Sequence, residues 1–465
     1  MGRRARRALR APARLAGRAR AAWGGAPHVL AVMALVDATG SGLFLAASIA
    51  VFTRLIRVSG EQIGLGLTVA GVISLLAAVP TGLLMDRFGP RTMLAAVSLW
   101  RAAGLLAYCW CRTFTQFLLV TCVLALADRA APPITQALVA LVAGPERRVR
   151  VMATLRSVRN VGFTLGALLA GVVLGLDSRP AYLAVLAADA LSFVAVVFLV
   201  RALWLGPPDG AGADGGRPDG GRPDGAGADG GHPDGGHPDG GRRTSRGGRL
   251  LVLRDRRFLR ATAVNAVLSL HLTLLAVAIP TWVLERTTLP RVVLAPALAL
   301  NTVLTVAFQV PASRGTDSVS GSARALYRAG VASGVCCLLL AGIPVLPVGV
   351  GTGLLVLAML ALTAAELWQS AGGWGLSYAL SPPEHRGVYL STFNIGVTAQ
   401  QVFGPGLVAV CVIPLGPPGW IGLGAVVFLM TAVAPAALRR RSAPAARGAP
   451  GPVARPTEPG WAEPG

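Results

Sequence analysis

A short charged segment between two long apolar segments reads Gly82-Leu-Leu-Met-Asp86-Arg87-Phe-Gly89-Pro-Arg91. Gly82 lets a neighbouring helix approach closely, and Gly89 permits a tight turn of the backbone. Asp86 stands next to Arg87 and close to Arg91, so we predict that these three residues form a charged latch at a membrane surface. The alternative is a loop whose arginines only set the orientation of the chain in the membrane.

The apolar segments on either side of this loop belong to a series that fills most of the 465-residue chain. Apolar residues make up 53% of the chain and charged residues 14%, a balance that is wrong for a water-soluble domain. A helix needs about 20 apolar residues to cross a bilayer, so runs of this length predict an all-α membrane protein. Twelve spans are predicted, at residues 31–52, 63–84, 93–110, 117–143, 158–176, 181–200, 261–284, 292–310, 329–345, 350–376, 388–413 and 420–438.

A repeat of five residues separates the first six spans from the last six. Residues 207–241 contain Asp at every fifth position among Gly and Pro, a composition that cannot bury apolar surface. Two pseudo-symmetric six-helix bundles are typical of transporters, because they can rock about a site at the midplane. The predicted organisation is an Arg-rich cytoplasmic tail at 1–27, a six-helix bundle at 28–204, a disordered cytoplasmic linker at 205–257, a second six-helix bundle at 258–438 and a cytoplasmic tail at 439–465.

The basic residues indicate how the chain lies in the membrane. The net charge is +22, and all 43 basic residues are Arg. The absence of Lys excludes a P-loop with its phosphate-binding Lys and any lysine Schiff base. Arg is concentrated in the tails and in alternate loops, so the positive-inside rule predicts a multi-pass protein of the plasma membrane with both termini in the cytoplasm. We attribute the charge to topology and to lipid contact rather than to nucleic acid.

The segment from Gly82 to Arg91 matches the pattern G-x-L-x-D-R-x-G-x-R at every fixed position and lies between the second and third predicted spans. In both respects the chain resembles the major facilitator superfamily. The resemblance implies a fold of two six-helix bundles and a latch that holds the two halves together in one access state. It also implies that the Asp86 carboxylate lies near the start of the eleventh helix, where the helix dipole favours negative charge.

A second motif lies in the fifth predicted span. The sequence Gly162-x-x-x-Gly166-Ala167-x-x-Ala170-Gly171 resembles the antiporter motif of exporters in this superfamily, with Ala at two positions and without the motif's Pro. The full motif implies export. The alternative is close helix packing alone, for which small residues such as Gly162, Gly166 and Gly171 are well suited.

Charged residues inside the predicted spans are the next indication of function, because an unpaired charge at the bilayer centre costs roughly 3 kcal/mol or more. They are Asp37, Arg101, Asp128, Arg129, Asp189 and Glu366. We predict that Asp37 faces a central cavity and exchanges a proton for substrate. The alternative for Asp37 is a structural salt bridge to Arg101 or Arg129. Arg129 also resembles the buried Arg of the superfamily's fourth helix, and the further candidates for proton coupling are Asp128, Arg129, Arg101 and Glu366.

Aromatic and amide side chains near Glu366 are the predicted substrate contacts. Trp368 and Gln369 follow Glu366 in the tenth span, and aromatic faces suit flat or cationic organic molecules. Asn301 and Gln400 could add hydrogen bonds in the cavity, or could equally bond a neighbouring helix.

The sequence therefore predicts a secondary active transporter that moves a small organic molecule by alternating access, with proton-coupled efflux as the expected mode. An uptake permease or facilitator of the same fold is the alternative, and a membrane protein that senses a ligand without moving it is a third. No nucleophile–base arrangement or metal-ligand cluster stands out, so we expect no enzymatic activity, no cofactor and no metal. The expected partners are a small-molecule substrate, protons and membrane lipids but no nucleic acid, and the expected oligomeric state is a monomer.

Overall fold

The computed structural model describes residues 25–204 and 252–438. The C-terminal tail and most of the N-terminal tail and of the linker, as predicted above, lie outside the described residues. Twelve long helical segments follow one another in the described part of the chain. They are α1 Ala26–Ile56, α2 Gly60–Phe88, α3 Pro90–Trp110, α4 Phe114–Val142, α5 Arg148–Leu176, α6 Arg179–Trp204, α7 Arg256–Arg286, α8 Arg291–Ala312, α9 Val319–Val345, α10 Val348–Ala379, α11 Pro383–Val412 and α12 Pro417–Leu438.

These helices confirm an all-α membrane protein. Ten of those described are long and apolar enough to cross a bilayer by themselves. Helix α2 bends by 55° between Leu75 and Val79, next to Pro80, and becomes an eleventh span if its two parts are taken together. The last helix contains a shorter apolar stretch, Pro417–Ala432. The count of twelve spans in two bundles therefore stays a prediction.

Helix contacts follow the division of the chain at the linker. In the first half α1 packs against α5 and α6, and α3 packs against α4 and α6. In the second half α9 packs against α10 and α12, and α7 packs against α11 and α12. The halves meet where α2 contacts α11 and where α5 contacts α8, and α4 also contacts α11.

One apolar cluster joins the two halves at a single end of the molecule. Leu138 of α4 packs there with Tyr378 of α10 and Leu390 of α11. Met85 and Leu94, on either side of the turn between α2 and α3, belong to the same cluster. We call this end the motif end, because it holds the segment from Gly82 to Arg91. In this conformation the halves are in apolar contact at the motif end.

The closest helix packing in the first half is between α1 and α5, and it depends on glycine. A Cβ atom at Gly42 would lie 2.7 Å from the Phe163 Cα, and one at Gly162 would lie 2.9 Å from the Leu35 carbonyl oxygen. A Cβ atom at Gly166 would overlap the backbone of α1, whereas one at Gly171 would meet nothing within 4 Å. Gly162 and Gly166 thus lie where α1 and α5 touch, whereas a side chain at Gly171, predicted in the same packing motif, would meet open space.

We expect Gly166→Ala to lower the thermal stability of the purified full-length protein, because α1 and α5 must separate to admit a methyl group. Overpacking of this kind costs about 1–3 kcal/mol. Gly171→Ala, on the same helix, is the matched control and should leave the melting temperature nearly unchanged. Equal melting temperatures for the two variants would contradict the role given to Gly166. Melting curves in detergent measure both.

Candidate functional site

The Asp86 carboxylate connects the two halves at the motif end. Its Oδ1 accepts a hydrogen bond from the backbone N–H of Gly387 at 2.6 Å, and its Oδ2 accepts one from the N–H of Val388 at 3.1 Å. Both N–H groups lie in the first turn of the regular α-helical part of α11, where they have no partner within the helix. A Cβ atom at Gly82 would lie 2.8 Å from the Val388 Cα, so this close approach needs glycine. Asp86 therefore lies where the resemblance implies, at the start of the eleventh helical segment.

The arginines of the segment do not take part in this connection. The Arg87 guanidinium lies 5.2 Å from the centre of the Phe88 ring, and the Arg91 Nε is buried without a hydrogen-bond partner. Within the described ranges, no ion pair joins Asp86 to either arginine. Gly89 has a φ of 78°, in the left-handed region that favours glycine, and allows the tight turn into α3. The contact between the halves here is thus a carboxylate bound to a helix N-terminus, and the two arginines of the predicted latch form no ion pair with it.

Inside the first half, Asp37 is the centre of an ionic network. Its Oδ1 accepts a hydrogen bond from Arg101 Nη1 at 3.0 Å, and its Oδ2 accepts one from Arg159 Nη1 at 2.7 Å. Arg101 also donates from Nε to Asp128 Oδ1 at 2.6 Å. The Asp37 and Arg101 side chains are each 14% exposed. Four helices contribute one charge each, so this network holds α1, α3, α4 and α5 together.

Asp189 of α6 adds a third carboxylate beside this network. It is 2% exposed, and the hydrogen-bond partner of its carboxylate is the Ser192 hydroxyl at 3.3 Å. The Arg101 guanidinium interacts electrostatically with both Asp37 and Asp189. It lies over the Phe193 ring, 3.9 Å from the ring centre. Three carboxylates, those of Asp37, Asp128 and Asp189, thus lie around Arg101, and Asp37 also binds Arg159.

A second ion pair crosses from one half to the other. Arg156 of α5 donates from Nη2 to Glu366 Oε1 of α10 at 2.5 Å, and from Nη1 to the Ser370 hydroxyl at 2.6 Å. Glu366 is 7% exposed at its side chain and also accepts a hydrogen bond from Asn301 Nδ2 at 3.0 Å. Because both charges are satisfied, the Glu366 carboxylate is not free to attract a cation.

A cavity of about 180 Å³ lies between the halves, next to this ion pair. Gln136 of α4 and Arg156 of α5 line it from the first half, and helices α7, α10 and α11 line it from the second. Trp374 and Phe393 add aromatic surface to the wall. The polar side chains that the second half contributes include Asn265, His271, Gln369 and Asn394.

The predicted substrate contacts are divided between this cavity and the helix packing around it. Gln369 lines the cavity, where its Nε2 donates to Asn265 Oδ1 at 2.8 Å. Trp368 lies outside the lining, with the Arg328 guanidinium 6.0 Å from its ring centre. The remaining two bond their neighbours, since Asn301 donates to Thr363 and to Glu366 while Gln400 donates to Thr273.

Arg129 follows Asp128 in the chain but does not join the ionic network around Asp37. Its Nη1 donates to Gln401 Oε1 of α11, so it bonds the other half rather than Asp37. Of the two salt-bridge partners proposed for Asp37, the structure therefore brings Arg101 to it and leaves Arg129 elsewhere. The ion pair that the sequence missed for Asp37 is the one with Arg159.

Arg156 and Arg159 are the functional residues that the sequence analysis overlooked. Their helix starts at Arg148, whereas the apolar run predicts a start at residue 158. A signal was present in the chain, because Arg156, Arg159, Gly162 and Gly166 follow one another at spacings of three and four residues. This is the spacing of one helical face. Extending the glycine face backwards would have found both arginines.

The loop between α8 and α9 shows a weaker version of the Asp86 arrangement. Burial raises the pKa of the Asp317 carboxyl in this loop, and the positive charge of Arg150 at the start of α5 opposes that rise. In the described part of the chain Asp317 interacts with α5 through charge, and no hydrogen bond from α5 accompanies that interaction. Of these two aspartates, Asp86 is therefore the one that connects the halves by hydrogen bonds.

Two halves that meet at one end and enclose a polar cavity define the class of polytopic membrane proteins to which secondary transporters belong. The family model of the Major Facilitator Superfamily matches residues 30–376. The chain belongs to the Major Facilitator Superfamily, which confirms the resemblance drawn from the Gly82–Arg91 segment. No curated protein matches the chain.

Solved structures of transporters share this fold at low sequence identity. A bacterial homologue of the iron transporter ferroportin, in an outward-facing state, is 15% identical with a TM-score of 0.65, covering 89% of this chain and 98% of that one. FucP, a Major Facilitator Superfamily transporter in the outward conformation, is 14% identical with a TM-score of 0.60, covering 88% and 98%. The human organic anion transporter MFSD10 is 18% identical with a TM-score of 0.57, covering 87% and 98%.

We expect Asp37→Asn to destabilise the first half, because it leaves Arg101 and Arg159 without their shared partner. Breaking a fully buried pair costs about 3–5 kcal/mol, and we expect a smaller loss here because Arg159 is 42% exposed and Arg101 keeps Asp128 as a partner. Adding Arg159→Gln should recover part of the loss, because one unpaired cation is removed. Thermal unfolding of the wild type, the two single variants and the double variant measures the coupling.

Asp177→Asn is the control for this pair of variants, because Asp177 and its partner Arg54, 3.7 Å apart, are both exposed. It should change the melting temperature little. Strictly additive losses for Asp37→Asn and Arg159→Gln would contradict the ion pair.

Proposed function

We propose that the chain is a secondary active transporter that moves a small organic molecule across the plasma membrane by alternating access. The observation that carries this proposal is the pairing of a cavity between the halves with a latch that closes the motif end. Opening the motif end requires the two hydrogen bonds from Gly387 and Val388 to Asp86 to break. A site that is closed on one side by separable bonds is what alternating access needs.

We further propose that the motif end faces the cytoplasm. Arginines are concentrated in the loops and tails on this side of the chain, as the positive-inside rule expects. The conformation described here then has its cytoplasmic side closed. Two similar structures, the ferroportin homologue and FucP, are in outward-facing and outward states, which supports the same assignment.

Proton coupling is proposed for the ionic network around Asp37. In this conformation Asp37 holds Arg101 and Arg159 by two hydrogen bonds. A proton on Asp37 would release both guanidiniums, and a change in the network would then reach the packing of α1 against α5. One similar structure is that of FucP, the fucose:proton symporter of E. coli, which supports a proton as the coupling ion.

Efflux is the proposed direction, and uptake is the second candidate. Gly162 and Gly166 pack α5 against α1 in the manner of the exporter motif. The motif's Pro is absent, and this departure permits uptake. The names of similar transporters mention iron, organic anions and fucose, so they do not select one cargo.

The test is substrate-dependent proton movement in everted membrane vesicles with a pH-sensitive dye. Labelled organic cations, anions and uncharged solutes are added in turn to vesicles that contain the wild type, Asp37→Asn or the exposed control Asp177→Asn. We expect a substrate to release protons from vesicles of the wild type and of the control but not from those of Asp37→Asn, because only the last loses the network.

Three outcomes would count against parts of this proposal. An unchanged response in Asp37→Asn would show that coupling lies elsewhere. Proton movement in the opposite sense would favour uptake over efflux. Flux of no solute under any gradient would favour a ligand sensor over a transporter.

A further inference from the structure

His271 lies on the wall of the cavity between the halves and contains a buried, unused hydrogen-bond acceptor. It is 2% exposed and lines the cavity. Its Nδ1 lies 2.9 Å from the Leu268 carbonyl oxygen, and a carbonyl oxygen can only accept, so Nδ1 carries the proton. In a neutral ring Nε2 is then a lone-pair acceptor, and it has no hydrogen-bond partner in the described parts of the chain. A buried acceptor without a partner is unfavourable, so a ligand donor would be held at this atom.

The charges around the cavity cancel. Arg156 and Glu366 are 2.5 Å apart, and both are occupied by each other and by neighbouring polar groups. The other ionisable group on the wall is His271 itself. A ligand with a net charge would lose its hydration without gaining a counter-ion, which is unfavourable in a buried site.

Amide side chains supply the rest of the polar wall. Gln369 donates to Asn265 Oδ1 at 2.8 Å and to the Ser269 hydroxyl at 3.2 Å, while Asn394 donates to Gln136 Oε1 at 3.3 Å. Amides offer both donors and acceptors, so they match hydroxyl and amide groups. The aromatic rings on the same wall offer a flat apolar surface to a compact ring or chain.

The size of the cavity limits the ligand. A volume of about 180 Å³ is below the range of about 300–1,000 Å³ that holds drug-sized ligands. We propose that this cavity binds a small uncharged solute rich in hydroxyl or amide groups, and that His271 Nε2 accepts a hydrogen bond from it. This replaces the expectation of a flat or cationic ligand, because Glu366 is already paired. The inference that this solute is the transported cargo rests on the proposed function. The inference that the cavity binds it does not require transport.

The experiment is binding to the full-length protein in lipid nanodiscs, measured by scintillation proximity with four labelled probes. D-glucose and myo-inositol are the uncharged probes, and D-glucosamine and D-glucuronate are cationic and anionic analogues of similar size. We expect the uncharged probes to bind more tightly than either charged one. His271→Phe, which keeps a ring but removes the acceptor, should weaken that binding about tenfold.

Two further variants keep the test specific. His271→Gln, which returns an acceptor oxygen near the Nε2 position, should recover part of the lost affinity. His28→Phe makes the same substitution at an exposed position on α1 and should bind like the wild type. Equal loss in the two Phe variants, or no recovery with Gln, would overturn the role of His271.

Other binding results would contradict the proposal that the ligand is uncharged. Tighter binding of D-glucosamine or D-glucuronate, or binding of neither uncharged probe, would overturn the uncharged class. Binding of the uncharged probes with no flux in vesicles would overturn the proposed function and leave this inference standing. Flux of a charged solute with no binding of the uncharged probes would do the reverse.

Discussion

Charges that helices bring into a bilayer must find partners there, and α5 brings two of them. Arg156 and Arg159 are three residues apart and so lie on neighbouring positions of one helix surface. Arg159 nevertheless binds Asp37 in its own half, whereas Arg156 binds Glu366 in the other half. Helix α5 therefore stands between the ionic network and the cavity. A shift of α5 relative to either half must break at least one of these two ion pairs. Helix α5 therefore links the ionic network to the cavity.

The two kinds of helix contact differ in how easily they separate. Within the first half, α1 and α5 meet backbone to backbone at Gly162 and Gly166, and such packing moves as a unit. At the motif end the halves are connected by the apolar cluster around Leu138 and by hydrogen bonds such as those of Asp86 and the one from Gln136 to Ser377. A hydrogen bond contributes about 1 kcal/mol net, or about 1.5–3 kcal/mol when one group is charged, so a few of them can hold one conformation without making it permanent. This contrast favours rigid halves and a separable interface.

The fold could be predicted from the sequence because long apolar runs and the Gly82–Arg91 segment leave few alternatives. The position of Asp86 and the pairing of Asp37 with Arg101 were also within reach, because a buried charge demands a partner. The direction in which an individual side chain points from its helix could not be predicted. The helices are apolar around most of their circumference, so periodicity does not tell which side faces a cavity, and Trp368 and Gly171 were misplaced for this reason. Arg129 and Gln401, far apart in the chain, meet only once the halves are folded together.

The central claim is that the halves separate at the motif end when the Asp86 latch is lost. Spin labels at Glu146→Cys and Glu384→Cys, both exposed positions next to the starts of α5 and α11, report that separation in a full-length protein whose native cysteines are replaced by alanine. Double electron–electron resonance in nanodiscs should give one short distance when Asp86 is present. Asp86→Ala should add a population at a longer distance. An identical distance distribution in the two proteins would contradict the claim.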